Sequence, residues 1–385
     1  MRRIGLVTVG RSDYGIYRPL LQVLDSDPDI TLGIYVSGMH LSPEHGNTVE
    51  MVEADGWLIA DRIEMSLAGD SPQAIAKSIG LGTAGFGQAF ARSRPDILVV
   101  LGDRYETLSA VIAAMPFKIP VAHLHGGEAT FGAFDEGIRH SITKMSHIHF
   151  PAAQEYADRI IQLGEEPWRV HNVGALSQDN IRKIALKSKE ELEKQYGFDL
   201  SQPPLLVTFH PVTLEYEKAE EHCSALLDGL HEACYPVVFT LANADTSGRL
   251  LNEMIQAYCM THRDAFLVDN FGIVNYMSML KYARAMVGNS SSGIIEAPGF
   301  GLPVVNIGAR QDGRIRGVNV IDVEPEKDAI VKAIEKACSK EFKASIQDAP
   351  NPYGDGHSAE RIVEILKSVE LDDNLIVKRF HDIKS

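Results

Sequence analysis

Short apolar runs alternate with longer amphipathic stretches along the chain. In the first half, "IGLVTVG" (4–10), "ITLGIYVSG" (30–38), "DILVVLGD" (96–103) and "IPVAHLHGG" (119–127) are rich in Val, Ile and Leu. Each gives way to turn residues and then to a helical pattern. The second half restarts the theme with "PLLVTFHP" (204–211), "YPVVFTLAN" (235–243), "AFLVD" (265–269), "RAMVGNSSSG" (284–293) and "LPVVNIG" (302–308). Near-continuous apolar strands that alternate with helices predict parallel sheets covered on both faces. The expected fold class is therefore α/β, with two doubly wound Rossmann-like domains facing each other across a cleft, and ligands should bind beyond the carboxyl ends of the strands. The polar, charged stretch 176–204 reads as a linker with short helices of its own, so the domains are placed at 1–175 and 176–356. The tail from His357 to Ser385 carries Ile362, Ile365, Leu366 and Val369 on one helical face and is expected to pack back on the first domain.

Composition narrows the function classes. A chain of 385 residues with 45% hydrophobic content has enough apolar material for two cores. No apolar segment approaches the length of a membrane span, so a cytoplasmic protein without membrane contact is expected. Cys223, Cys234, Cys259 and Cys338 show no paired spacing and suggest neither a disulfide framework nor a zinc ribbon. The formal charge of -15 argues against general nucleic-acid binding. An anionic ligand would need a local basic site, and "GARQDGRIRG" (308–317) offers Arg310, Arg314 and Arg316 among glycines. The alternative for that stretch is a solvated loop.

Several strand ends concentrate chemistry. "VGRSDYG" (9–15) lacks both G-x-G-x-x-G and the P-loop pattern, leaving Arg11 at a helix N-terminus where an anion is attracted by the guanidinium and the open amides together. The plainer account makes Asp13 a helix cap. "LGDRYE" (101–106) repeats the geometry with Asp103 and Arg104, again with capping as the alternative. "HLHGGEATFGAFDEGIRH" (123–140) then brings Glu128, Asp135 and Glu136 to the same rim. Carboxylates crowded on one edge push each other's proton affinities apart, which supplies both an acid and a base. His123 and His125 alternate on the predicted strand and should share a face. They lack an H-x-x-x-H or C-x-x-C companion, so no metal is assigned. No G-x-S-x-G elbow occurs. Further along, Ser290, Ser291, Ser292 and Gly293 open a helix and form a candidate diphosphate seat, with Glu296 one turn on for ribose hydroxyls. A serine-rich cap would explain the same residues. His210 ends another strand, either in this site or as a satisfied, half-buried histidine.

Together "RSDYG", "LGDRYE", "HLHGGE", "FDEGIRHSITKMSH", "GNSSSGIIEAP" and "RQDGRIRG" resemble, over nearly the whole chain, the hydrolysing UDP-N-acetylglucosamine 2-epimerases of sialic acid biosynthesis. They also resemble the relatives that act on 2,4-diacetamido-2,4,6-trideoxy sugars, on UDP or GDP, in the legionaminic acid route, a reaction that stands as the alternative to the expected one on UDP-N-acetylglucosamine. The resemblance implies a two-lobed glycosyltransferase-B architecture, with sugar chemistry on the first lobe and nucleotide on the second. It also implies a nucleotide-sugar substrate, free N-acetylmannosamine and UDP as products, no redox cofactor, and a homodimer or larger assembly. In that chemistry C2 loses its proton as UDP departs, then water adds at C1 and C2 is reprotonated from the opposite face, so one acid/base group is needed per face. By motif, Asp103, Glu128 and Asp135 are the acid/base candidates, with Glu136 as a substitute for Asp135 and His210 as a further catalytic or phosphate-binding group. Arg11, Ser290, Ser291, Ser292, Gly293, Arg310, Arg314 and Arg316 fall to the nucleotide, and Glu296 to the ribose. Arg104, His125, Arg139 and His140 shape the site. Other epimerases of the superfamily carry a glutamate at the position of His125 and a lysine at that of Ile16. A glycosyltransferase and a non-catalytic nucleotide-sugar sensor are the rival readings.

Overall fold

Val, Ile and Leu crowd the strands because each central strand must bury both of its faces. In the first sheet β1 (Arg2–Thr8), β2 (Ile30–Ser37), β3 (Ile59–Ile63), β4 (Ile97–Leu101), β5 (Val121–Leu124) and β6 (Ile148–Phe150) pair in parallel in the order β3-β2-β1-β4-β5-β6. Ile4 and Leu6 of β1 enter one core with Leu20, Leu24, Ile362 and Leu366. Val7, and Val9 just past the strand, enter another with Phe86, Phe90 and Val111. The second sheet contains β7 (Leu205–Thr208), β8 (Val237–Thr240), β9 (Ala265–Val268), β10 (Ala285–Gly288), β11 (Val304–Ile307) and β12 (Val320–Val323), also parallel, in the order β12-β11-β10-β7-β8-β9. Leu205 and Val207 face Leu226, Leu230 and Ile334, while Leu206 faces Met279, Leu280 and Leu302. Counted within its own half, each sheet has the doubly wound order, and the strand order reverses between β1 and β4 and between β7 and β10.

The computed structural model describes residues 1–43, 46–67, 71–129, 135–211, 217–241, 248–269, 271–347 and 349–383. The chain forms two units, Met1–Asn180 with Tyr353–Ser385, and Ile181–Pro352. The helix Leu176–Lys183 runs through the junction, and its Asp179 is buried. The Asp179 carboxylate accepts from the amides of Ser358 (3.0 Å) and Ala359 (2.9 Å), which open the helix Ser358–Ser368. That helix lays Ile362, Val363 and Leu366 against Leu20 and Leu24 of the helix Arg11–Asp25. The terminal segment continues over the first unit. Lys378 Nζ reaches Glu165 at 2.7 Å, and the Glu165 carboxylate also meets Lys144 Nζ at 2.6 Å and His149 Nε2 at 3.0 Å. Burial alone would raise the Glu165 carboxyl, but His149 and the two lysines hold it down at about 2. Among the described residues no helix is long and apolar enough to cross a membrane.

Candidate active site

The strand ends of the first sheet gather the predicted acids around one arginine. Gly102, at φ +72°, turns the chain out of β4 and presents Asp103. The Asp103 carboxylate accepts from Arg139 Nη2. Arg139, in the helix Asp135–Met145 and only 4% exposed, also donates through Nη1 to Glu136 Oε2 at 2.6 Å and to the Glu128 carbonyl at 3.0 Å. His140 Nε2 lies 3.0 Å from the other Glu136 oxygen. A buried guanidinium needs such partners, since an unpaired charge there would be costly. Asp103 is therefore committed to Arg139; the following helix, Tyr105–Ala114, has no side-chain cap. Asp135 stands at the helix start with its carboxyl pushed up, first by burial and then by the charge of Asp103.

The two histidines of "HLHGGE" do not share a strand face. β5 ends at Leu124, and His125 takes a left-handed backbone at φ +60°, so the alternation expected from a strand over 119–127 stops one residue too early. His125 is held there by its amide on the Phe150 carbonyl, at 3.1 Å. Its Nδ1 lies 2.6 Å from Glu128 Oε1, while Nε2 is buried without a hydrogen-bond partner among the described residues. A histidine backed by a carboxylate with its other nitrogen open is the arrangement of a proton acceptor. His123 is wholly buried instead, with Nε2 on the Gly102 carbonyl (2.8 Å) and Nδ1 near Thr143 Oγ1 (3.2 Å). Residues 130–134 of the motif lie outside the described residues.

Beside them, at the end of β1, Gly10 precedes the helix Arg11–Asp25, whose first residue Arg11 is exposed. Asp13 is not that helix's cap. It turns inward, accepting from Thr8 Oγ1 (2.9 Å) and the Val9 amide (2.8 Å), and burial raises its pKa. Arg104 makes a two-pronged contact with the buried Glu106, at 3.2 and 2.9 Å.

The second unit gathers the other predicted set at the ends of β7, β10 and β11. His210, buried just past β7, is held through its backbone by the side chain of Asn289. Ser290 caps the short helix Ser291–Ile295 by accepting from the Ser292 amide at 3.3 Å, and Glu296 closes it. Gly293 serves packing, because a Cβ there would meet Val304 Cγ1 at 2.9 Å. The Tyr276 hydroxyl sits among Thr208, Ser290, Ser292 and Glu296, and burial pushes it up to about 12. Arg310 donates to the Asn289 carbonyl at 3.0 Å, and Arg314 is half-buried in the same loop. Arg316 is engaged within the loop, by Asp312 and Asp322 at 3.3 Å each and by the Gln311 and Arg314 carbonyls. Asn289, Gln311 and Thr143 lie inside the quoted motifs, but the sequence reading gave them no role; Tyr276 lies outside every motif and gave no sequence signal.

Two doubly wound Rossmann-like units, with acids at one set of strand ends and hydroxyls and arginines at the other, define the glycosyltransferase-B-like class of two-domain proteins. Residues 22–367 match the family described as UDP-N-acetylglucosamine 2-epimerase, and the chain belongs to that family. It is 41% identical to the GDP/UDP-N,N'-diacetylbacillosamine 2-epimerase (hydrolyzing) of Campylobacter jejuni, covering 99% of each chain. It is 38% identical to the polysialic acid biosynthesis protein P7 of Escherichia coli, over 100% of this chain and 98% of that one. With the UDP-N-acetylglucosamine 2-epimerase of Neisseria meningitidis the identity is 31%, over 100% of both. Among solved structures, a Listeria monocytogenes protein described as a putative UDP-N-acetylglucosamine 2-epimerase shares the fold with a TM-score of 0.80 at 18% identity, over 100% of this chain and 99% of that one.

Proposed function

We propose that the protein is a hydrolysing 2-epimerase acting on a UDP-linked 2-acetamido sugar. The observation that supports this most is the Arg139 hub, which holds Asp103 and Glu136 next to the His125–Glu128 pair, so that several acid/base side chains stand side by side. In the first step the C2–H bond breaks, its electrons form the C1–C2 double bond, and the C1–O bond breaks with its pair leaving on UDP. Asp103 or the His125–Glu128 pair receives the proton. In the second step the C1–C2 double bond takes a proton at C2 from the other face, water oxygen bonds to C1, and the proton that water loses returns to the group that protonated C2. Asp135, with its raised carboxyl, is suited to be that group. On the second unit His210, Ser290, Ser291, Arg310 and Arg314 would hold the diphosphate, and Glu296 the ribose. Arg11, exposed at the start of its helix in the first unit, is proposed as a further anion-binding group.

The sugar is proposed to be a 2,4-diacetamido-2,4,6-trideoxyglucose, with N-acetylglucosamine as the second reading. Identity is higher to relatives named for diacetylbacillosamine, 41% and 38%, than to the 31% relative named for UDP-N-acetylglucosamine. A cytoplasmic location belongs to the proposal and is supported by four free cysteines. So does self-association, supported by exposed Leu371, Val377, Phe380 and Ile383 in the terminal segment and tested by sedimentation. The decisive experiment incubates the protein with each UDP-sugar in deuterated water. Free sugar inverted at C2 and carrying deuterium there, with kcat/KM about 10-fold higher for the diacetamido substrate, is expected. Transfer without exchange would instead mark a glycosyltransferase, and binding without turnover a sensor.

A further inference from the structure

One wholly buried side chain in the second unit uses every polar group it has on its neighbours. Asn289 follows Gly288 at the end of β10. Its Nδ2 donates to the His210 carbonyl and its Oδ1 accepts from the His210 amide, each at 2.8 Å, so a side-chain amide pairs with a backbone as neighbouring strands pair with each other. Its own amide donates to the Thr208 carbonyl at 3.1 Å. Its carbonyl accepts from Arg310 Nη1 at 3.0 Å and from Gln311 Nε2 at 2.8 Å. The approach depends on Gly288, where φ is +130° and a Cβ would stand 2.0 Å from the Thr208 carbonyl oxygen. Three loops, after β7, β10 and β11, are therefore registered against one residue. The loops carry His210, Ser290 and Arg310, the groups assigned above to the diphosphate.

We propose that Asn289 is the positioning residue of the nucleotide seat, fixing His210 and Arg310 relative to the serine turn so that all three meet one diphosphate. This rests on the nucleotide-sugar reading of the protein. Asn289 does not touch the nucleotide in this role; it acts through the groups it holds. Leaving one half of the paired bond unmade inside the protein costs more than the bond itself contributes, because the stranded group cannot return to water. The stereochemical requirement is specific. The side chain must present one donor and one acceptor in a plane, which asparagine does at every pH and aspartic acid only when protonated.

That requirement supplies the test, made on the full chain with UDP as the probe and calorimetric affinity as the readout. Wild type, Asn289→Asp and Asn289→Leu are compared at about pH 8 and about pH 5.5, with circular dichroism reporting the folded fraction. At the higher pH Asn289→Asp turns a carboxylate toward the His210 carbonyl, and the UDP Kd should rise at least about 10-fold. At the lower pH the protonated acid restores the donor, and affinity should return to within about 3-fold of wild type at that pH. Asn289→Leu should stay weak at both. A merely structural role would lower stability without this pH-dependent recovery. UDP affinity within about 2-fold of wild type for both folded variants at about pH 8 overturns the inference. Should neither variant fold, Gln311→Leu decides, since it removes one donor from the Asn289 carbonyl and leaves the His210 pairing in place. A Kd about 3-fold weaker or more supports the inference, and an unchanged Kd overturns it. Failure of the wild type itself to bind UDP would defeat the nucleotide reading, and the inference with it, in a separate arm of the experiment.

Discussion

Replacing His123 by glutamine should flatten the acid instability of the first unit. The ring is wholly buried at the end of β5, with Nε2–H on the Gly102 carbonyl and Nδ1 accepting from Thr143, so only the neutral ring satisfies both partners. Burial pushes its pKa down to about 3, whereas an unfolded chain protonates histidine near pH 6.5. Between those values the unfolded state binds the extra proton, so stability falls as pH falls. At about pH 5 the folded ring is still neutral and the unfolded one is not. The gap of about 1.5 pH units below 6.5 corresponds to about 2 kcal/mol. His40 and His147, pushed by burial to about 4, act in the same direction. The three together should cost about 6 kcal/mol between about pH 7.5 and about pH 5. Glutamine can donate to Gly102 and accept from Thr143 without titrating, so His123→Gln should reduce that loss by about 2 kcal/mol. Urea unfolding followed by tryptophan fluorescence measures it directly, since both tryptophans, Trp57 and Trp168, belong to the same unit as His123. Parallel stability-against-pH curves for variant and wild type would refute the reasoning.

Other expectations test the site and its frame. Asp103→Asn should lower turnover at least about 100-fold while UDP affinity stays within about 2-fold, and equal loss of both would remove Asp103 from the chemistry. Gly288→Ala should destabilise the second unit by roughly 3 kcal/mol in thermal unfolding, because its Cβ collides with the Thr208 carbonyl at an unfavourable φ. Glu165→Gln strips the carboxylate from Lys144, Lys378 and His149 and should cost roughly 2 kcal/mol, after allowance for the exposed part of Lys144. Faster hydrogen exchange at residues 377–383 is the signature; unchanged exchange there would show that the ion pairs do not hold the terminal segment.

The doubly wound class was legible because the strands are short apolar runs, most of them rich in Val, Ile and Leu, that alternate with helices. Strands β3, β6 and β12 escaped notice for a physical reason. They lie at sheet edges, with only an isolated bridge from His149 to Val170 beyond β6, and their short runs admit Asp61 and Arg62, His149, or Asp322. The acids were legible as residue types at strand ends, but not their pairing. The Glu136–Arg139 pair follows from helical i,i+3 spacing, but nothing in the spacing foretold that Arg139 would also bind Asp103, 36 positions away. His125 was misread by the period-two rule, which cannot register a strand that ends one residue before the histidine. Arg316 was read as a phosphate ligand from its glycine-rich setting, yet its guanidinium is engaged by Asp312, Asp322 and two carbonyls of the same loop. Asn289 gave no signal beyond its place before the serine run, since its importance arises from two other loops meeting it.

The clasp between Asp179 and the amides of Ser358 and Ala359 sets an order of events during synthesis. A ribosome releases the whole of Ile181–Pro352 before it makes Ile362, Val363 and Leu366, which finish the opposite unit's core. Leu20 and Leu24 therefore keep the side that meets those residues uncovered while the later sheet is already able to form. A nascent chain halted before residue 358 would leave an oily face for chaperones to shield, and the Asp179 carboxylate would have nothing to grip.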